Sequence, residues 1–297
     1  MSDTGFTLTV PGTSLQLRDE NGQLVHGEHR FDRITGAVWD LTPADRRADL
    51  DRFAIDYAAV RAAEGRELGP DAVRRLPDID PGHELASMWS QRKASWLSLR
   101  DQLPSSSEGR TVLDVGAGCG WLAARLADAG WRAAAIDITV DGGDGLAAAR
   151  HHDADLLLAR ADMGALPFAQ GSIDLVVFNA SLHYAADVAA SLREAQRVIR
   201  SNGRVVVMDS PIFHDTAAGA AMVQEFDRSV HQRHGLAPAA HQGPGFVTWD
   251  ELVPFDLARI DPADGFRDRF HRWRGARRAG REVAQRPLLI SSSEVAP

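Results

Sequence analysis

The sequence predicts an α/β protein whose core is a doubly wound, mostly parallel sheet with helices on both faces. From residue 111 onward, short apolar runs alternate with stretches of helical periodicity, which is typical of parallel strands joined by right-handed crossovers. The first apolar run is followed by glycines at alternate positions, Gly116, Gly118 and Gly120. The second run ends in an acid, Asp137. Together these features predict the opening of a nucleotide-binding βαβ unit.

Glycines are required at this turn for two reasons. The turn visits backbone angles that a Cβ atom would forbid, and a ligand has to approach the main chain closely. Asp137 lies 23 residues after Asp114, about the spacing at which such folds place a carboxylate against ribose hydroxyls. The alternative is that Asp137 is a strand-end acid that caps Thr139 or a nearby amide.

The remaining elements follow the same alternation. The predicted strands are 111–116, 132–137, about 155–160, 173–179 and 204–209, with helices at 120–129, about 143–151 and 187–200. An antiparallel pair, from Phe266 to Trp273 and from 286–290, would complete a seven-stranded sheet. A ligand is expected outside the carboxyl ends of the strands.

Two smaller units precede this sheet. Residues 1–41 alternate weakly between apolar and polar side chains and contain the hairpin signal Asn21-Gly22, which predicts a small β appendage, or ribbon. Thr42-Pro43 is a helix start, and residues 42–103 are predicted to form a helical cap over the ligand site. Residues 104–297 are predicted to form the main ligand-binding domain.

Composition narrows the classes of function. A net charge of −8 argues against binding to a nucleic-acid backbone. No apolar run reaches the ~18 residues of a membrane span, and the N-terminus lacks a signal-peptide pattern. Cys119 is the single cysteine, so neither an intrachain disulfide nor a cysteine-built metal site is expected. The expectation is a cytoplasmic protein that acts on a small molecule, with a homodimer left open.

Five segments resemble the motifs of class I (Rossmann-like) S-adenosylmethionine-dependent methyltransferases of the small-molecule type. They are residues 113–120, 136–137, 161–168, 173–176 and 192–207. The resemblance covers about residues 90–210 and implies S-adenosylmethionine (SAM) as the cofactor. The rhythm of the first 41 residues also resembles the zinc-ribbon leader of some methyltransferases, but the cysteines are absent and no metal is expected.

The resemblance implies a cofactor site distributed along the chain. The implied SAM-binding residues are Asp114, Gly116, Ala117, Gly118 and Gly120 for the methionine end, Asp137 and Ile138 for the ribose, Asp162 and Met163 for the adenine, Asn179 through its backbone, Tyr57 as a cover and Arg92 for the methionine carboxylate. Besides Asp137, two of these assignments have alternatives. Tyr57 would be a core residue with Arg61–Glu64 as a surface pair, and Arg92 would extend along an apolar surface into water.

His183 is the candidate general base, because it lies just beyond the strand at 173–179, where this family places its reaction-side loop. A base is needed only if the acceptor starts protonated, so the alternative is that His183 only lines the pocket. Asn179 stands where a metal-ligating acid is expected in the catechol type. It is followed by Ala180-Ser181-Leu182, which departs from the signature of amino-group methylation on nucleic-acid bases.

Three functions therefore compete. The first is methyl transfer to O, N or C of a small organic molecule, in bacterial specialised metabolism. The second is methylation of RNA, which the ribbon-like leader favours and the net charge disfavours. The third is a protein that retains the fold and binds SAM without methylating, because fold alone does not settle function.

Overall fold

The N-terminal segment forms five short strands. The computed structural model describes residues 5–236, 242–260, 275–277 and 279–291. The strands are β1 (Arg18–Glu20), β2 (Gln23–His26), β3 (His29–Phe31), β4 (Arg33–Thr35) and β5 (Val38–Asp40). β1, β2 and β3 pair antiparallel as a separate ribbon, with Asn21 and Gly22 at the predicted turn, both with positive φ.

Three helices follow and precede the first central strand. They are α1 (Arg47–Ala63), α2 (Pro70–Arg75) and α3 (Ala86–Arg100). In the described residues, no helix is both long enough and apolar enough to cross a membrane.

The central elements alternate as the sequence predicts. They are β6 (Thr111–Val115), α4 (Trp121–Asp128), β7 (Arg132–Asp137), β8 (Leu156–Arg160), β9 (Ile173–Asn179), α5 (Val188–Val198), β10 (Ile199–Met208), β11 (Ile212–Phe213), α6 (Thr216–His234), β12 (Val247–Thr248), α7 (Trp249–Leu252), β13 (Leu257–Arg259) and β14 (Leu289–Ser291). The helix predicted at 143–151 is a shorter 3₁₀ helix, Leu146–His151. β11 and β12 form a separate parallel pair.

The central sheet of the described residues has nine strands in the order β13-β14-β10-β9-β6-β7-β8-β5-β4. Strands β5 to β10 pair parallel, and β4, β13 and β14 add antiparallel pairs at the edges. The α/β class with its mostly parallel sheet is therefore confirmed. This order brings the carboxyl ends of β6, β7, β8, β9 and β10 to one edge, where the predicted site residues lie.

The strand count of seven is wrong for a physical reason. β5 pairs parallel with β8, with Val38 opposite Leu158 and Trp39 opposite Ala159, and covers an edge that would otherwise stay open. The end of the 1–41 segment is thus part of the central sheet. At the other edge, residues 257–259 pair with 289–291. The residues from Phe266 to Trp273, predicted for that pair, lie outside the described residues.

Both faces of the sheet are buried. On β6, Leu113 faces a core cluster that includes Leu192 of α5, and Val112 faces a second cluster that includes Trp96 of α3 and Leu122 of α4. Successive residues on a strand point to opposite faces. The continuous apolar runs in the sequence therefore report a sheet that is covered on both sides.

We predict that Trp39→Ala lowers the free energy of unfolding by about 3–5 kcal/mol, because it leaves a cavity where a large buried side chain packed. Trp39 is 2% exposed and belongs to the main core cluster. Urea unfolding followed by circular dichroism measures the change. Ile34→Ala is the matched control, since Ile34 of the adjacent strand is 41% exposed, and it should change stability by less than about 0.5 kcal/mol. Equal effects of the two variants would mean that β5 is not part of the core.

Candidate cofactor and active site

The turn between β6 and α4 is built on three glycines with positive φ, +71° at Gly116, +54° at Gly118 and +73° at Gly120. A Cβ atom on Gly116 would lie 2.4 Å from the Cβ of Ser181. A Cβ on Gly118 would lie 3.1 Å from the carbonyl oxygen of Asp144. Glycine is therefore required both for the backbone angles and for the close packing of this turn against the loops after β7 and β9.

Asp114 is a buried carboxylate beside this turn. The residue is only 1% exposed, and neither oxygen of its carboxylate has a hydrogen-bond partner among the described residues. Burial raises the pKa of Asp114 to about 7; the nearby backbone N–H of Ala123 opposes the rise, and the charge of Asp137 adds a smaller contribution to it. An unpaired buried charge is unfavourable, and a positively charged ligand group near Asp114 would offset that cost.

Asp137 ends β7 and accepts two backbone hydrogen bonds, from Gly118 N at 2.8 Å and from Thr139 N at 2.8 Å. The capping of Thr139, considered as an alternative for this residue, is therefore present. Burial nevertheless leaves the pKa of Asp137 above its usual value. Because each carboxylate oxygen can accept more than one hydrogen bond, Asp137 retains acceptor capacity toward the cleft that it lines.

A cleft lies along the carboxyl ends of β6, β7 and β8. Its lining includes Gly116, Asp137, Ile138, Thr139, Asp162 and Met163 from the sheet side, Ala180, Ser181 and Tyr184 from the loop after β9, and Leu50, Phe53 and Tyr57 from α1. The cleft has a volume of about 60 Å³, below the ~300–1,000 Å³ of small-molecule sites.

Asp162 and Met163 follow β8 and line the end of the cleft opposite the glycine turn. Asp162 Oδ1 accepts a hydrogen bond from Gly164 N at 2.9 Å, and its Oδ2 lies 3.8 Å from the guanidinium of Arg46. Met163 is half-buried and packs against the main core cluster. Asn179, at the end of β9, is 8% exposed, and its Oδ1 has no partner among the described residues. Its side chain is not among those that line the cleft.

Arg61 of α1 is a site residue that the sequence suggested only as part of a surface pair with Glu64. It is 9% exposed and donates hydrogen bonds to the hydroxyls of Tyr57 and, at 3.3 Å, Tyr184. Its carboxylate neighbours are further away, Asp144 at 3.6 Å and Glu64 at 3.8 Å. Its position four residues after Tyr57, on the same helix face, is the signal that could have identified it.

Tyr57 lines the cleft as part of an aromatic group on α1 and the loop after β9. Its ring centroid lies 5.6 Å from that of Phe53 and 5.3 Å from that of Tyr184. Burial raises the pKa of Tyr57 well above its usual value, so the phenol is neutral. Tyr57 thus combines the two roles weighed from the sequence, because it packs in a cluster and also borders the cleft.

Arg92 and His183 lie beside the cleft and do not line it. The guanidinium carbon of Arg92 lies 4.8 Å from the ring centroid of Trp89. His183 is 9% exposed, its Nδ1 is 3.3 Å from the hydroxyl of Ser210, and its ring centroid is 4.1 Å from that of Tyr184. Burial, together with the charges of neighbouring arginines, lowers the pKa of His183 well below its usual value. His183 is therefore a neutral imidazole that holds an added proton weakly.

Comparison with known proteins agrees with this geometry. Residues 113–207 match the family described as a methyltransferase domain. The malonyl-[acyl-carrier protein] O-methyltransferase of Hahella chejuensis is 36% identical over 163 residues, which are 54% of this chain and 52% of that protein. The demethylmenaquinone methyltransferase of Beutenbergia cavernae is 36% identical over 163 residues, 55% of this chain and 61% of that protein. The aligned part thus spans about half the length of these relatives.

A solved structure shows the same fold. The geranyl diphosphate C-methyltransferase of Streptomyces coelicolor superposes with a TM-score of 0.51 at 15% identity, over 84% of this chain and 99% of that chain.

Residues 113–207 therefore match a methyltransferase domain, and the chain as a whole shares the fold of a methyltransferase. The resemblance to methyltransferases stated from the sequence is thus confirmed for these residues.

We predict that Asp114→Asn stabilises the protein at pH 8. In the unfolded chain the carboxyl group loses its proton near pH 4, whereas in the folded protein it keeps the proton up to about pH 7. The folded state therefore becomes less favourable as the pH rises from about 4 to about 7. Removing the charge should raise the free energy of unfolding at pH 8 by roughly 1–4 kcal/mol, given ~1.4 kcal/mol per unit of pKa. Urea unfolding at pH 5 and pH 8 measures this.

Asp174→Asn is the matched control and should act in the opposite direction. Burial alone would raise the pKa of Asp174, but hydrogen bonds from Thr111 and the guanidinium of Arg200 hold it below its usual value. Its stabilisation is present above pH ~4 and is lost below that value, so this variant should be less stable at pH 8. If both variants lose stability at pH 8, Asp114 is not an unpaired carboxylate.

Proposed function

We propose that this protein transfers a methyl group from SAM to an O, N or C atom of a small organic molecule. The observation that carries the proposal is the unpartnered carboxylate of Asp114 beside a glycine turn in which side chains have no room, within a domain that matches methyltransferases. When bound, SAM supplies an electrophilic methyl group on a sulfonium with a good leaving group. The site would then be required mainly to align the acceptor and to exclude water.

The proposed cofactor contacts combine residues that line the cleft, which are Gly116, Asp137, Ile138, Asp162, Met163 and Tyr57, with residues that the methyltransferase motifs add. Asp114 would attract the methionine ammonium, above the backbone of the glycine turn, which is Gly116, Ala117, Gly118 and Gly120. Asp137 and Ile138 would face the ribose, and Asp162 and Met163 would face the adenine. Asn179 would contribute through its backbone. Tyr57 would cover the cofactor. For the methionine carboxylate we favour Arg61 over the earlier candidate Arg92, because Arg61 contacts two tyrosines that line the cleft.

His183 is proposed to line the acceptor side of the site. As a neutral imidazole it can accept a hydrogen bond from the acceptor. Its depressed pKa makes it a weak base, so full deprotonation of an alcohol or amine by His183 is disfavoured. Acceptors that are already deprotonated, or that have a free lone pair, suit this site best.

The nature of the acceptor rests on analogy. The relatives named above are methyltransferases of malonyl-[acyl-carrier protein] and of demethylmenaquinone, according to their names. A role in bacterial specialised metabolism, a cytoplasmic location and a homodimer are further proposals. Incubation with SAM and a metabolite panel, followed by mass spectrometry, tests the activity. A product heavier than its acceptor by one CH₂ unit supports it. SAM binding without such a product favours the non-methylating alternative, and salt-sensitive binding to tRNA favours RNA methylation.

We predict that Asp137→Ala weakens the binding of both S-adenosylhomocysteine (SAH) and methylthioadenosine by ~1–3 kcal/mol, the cost of leaving polar partners unmade. Both ligands contain the ribose that Asp137 is proposed to bind. Isothermal titration calorimetry measures the affinities. Asp153→Ala removes an exposed carboxylate and serves as the control. Unchanged affinity in Asp137→Ala would show that this carboxylate serves only to accept hydrogen bonds from the amides of Gly118 and Thr139 and does not bind the ribose.

We predict that Arg61→Gln separates the two ligands. SAH carries the amino-acid end and methylthioadenosine lacks it, so only SAH should lose affinity, by at least tenfold for a lost charge-assisted hydrogen bond of about 1.5–3 kcal/mol. The same titrations measure both ligands. Equal weakening of the two would show that Arg61 acts through the position of α1 and has no contact with the carboxylate.

A further inference from the structure

A group of polar side chains meets where β10 ends, next to His183. We call it the β10-end cluster and define it as Arg92, His183, Asp209, Ser210 and Arg286. The carboxylate of Asp209 accepts hydrogen bonds from two residues of α3, from the hydroxyl of Ser95 at 2.8 Å and from the side-chain amide of Gln91 at 3.2 Å. These bonds hold the end of β10 against the helix that carries Arg92.

Arg286 joins the cluster from the segment that leads into β14. One of its terminal nitrogens donates to the backbone carbonyl of Asp209 at 3.1 Å, and the residue as a whole is exposed. That bond uses one of the five N–H groups of a guanidinium. In the described part of the chain, neither Arg286 nor Arg92 lies within ion-pair distance of a carboxylate.

The charges of the β10-end cluster do not balance. Burial raises the pKa of Asp209, and the nearby charges of Arg92 and Arg286 oppose that rise, so two guanidinium groups lie near one carboxylate. Asp209 is 4% exposed, and its Oδ2 has no hydrogen-bond partner among the described residues. His183 is neutral and contributes no charge to the cluster. One positive charge of the cluster is therefore left uncompensated.

Two arginines near α1 are better matched than Arg92 and Arg286. Arg61 has two carboxylates nearby, Asp144 and Glu64, and Arg66 forms an ion pair with Glu64 at 2.8 Å. The excess positive charge is thus located at the end of β10, away from α1.

The β10-end cluster adjoins the proposed active site. His183 and Tyr184 are consecutive and their rings are 4.1 Å apart between centroids, and Tyr184 lines the cofactor cleft. His183 therefore connects the cluster, through its contact with Ser210, to a residue that lines the cleft.

We propose that Arg286 and Arg92 bind an anionic group of the methyl acceptor, a carboxylate or a phosphate, and so select acidic small molecules as substrates. This inference rests on the proposed function, because it assigns the acceptor of the same site. A guanidinium binds either group in a bidentate manner, and a single negative charge compensates the excess of the cluster. Asp209 is a positioning residue in this arrangement, since its carboxylate bonds α3, the helix that carries Arg92, and its backbone carbonyl accepts a hydrogen bond from Arg286.

The test uses three probes that share a phenyl ring: benzoate, phenyl phosphate and the neutral benzamide. Each is titrated by calorimetry into the full-length protein saturated with SAH, at constant ionic strength. Wild-type protein should bind benzoate or phenyl phosphate at least tenfold more tightly than benzamide, and the preferred anion identifies the group. Arg286→Gln and, separately, Arg92→Gln should abolish this preference. Arg204→Gln, which removes an exposed arginine on the same strand β10, should retain it.

The affinity for SAH separates failure of this inference from failure of the proposed function. Arg286→Gln should bind SAH within twofold of wild type, which also shows that the variant is folded. If SAH binds and the anions bind no better than benzamide, or if Arg286→Gln and Arg92→Gln keep the preference, the anionic subsite is refuted while the methyltransferase proposal stands. If wild-type protein does not bind SAH, the proposed function itself fails, and the subsite fails with it.

Discussion

An unpartnered carboxylate beside a backbone that tolerates no side chains is the constraint on which the site depends. Asp114 is held in the centre of the sheet, where its charge is unfavourable, and the turn that follows is restricted to glycine by both angle and packing. Neither feature helps the fold to form. Proteins retain strained or unsatisfied groups mainly where function needs them, and a ligand with a positive charge and a flat polar body would satisfy both.

The residues around that turn divide into two groups that carry different charges. On the side of α1, Arg61 is surrounded by tyrosines and two carboxylates, so the region is nearly balanced and suits a zwitterionic amino-acid end. At the end of β10, two arginines share one carboxylate. His183 stands between the two groups and is kept neutral by burial and by the arginines.

Helix α1 connects the fold to the ligand. It covers the cleft with Leu50, Phe53 and Tyr57, and little space remains beneath it. In the amino-acid sequence this helix is an ordinary amphipathic segment, and Tyr57 and Arg61 gain their meaning only because Tyr184 from a loop over 120 residues away meets them. Water exclusion, which methyl transfer favours, is thus provided by an element outside the matched domain at residues 113–207.

The sequence by itself determined the α/β class, the glycine turn, the position of Asp114 and Asp137 and the family of the domain, because these depend on local patterns that repeat at fixed spacing along the chain. Only the tertiary structure decided that Val38–Asp40 extends the sheet to nine strands, that Asp137 also binds the amides of Gly118 and Thr139, that Arg61 borders the cleft, and that Arg92 lies with Arg286 at the end of β10. Each of these is a contact between segments far apart in the chain. Such contacts are set by packing and by charge balance, which no local pattern encodes.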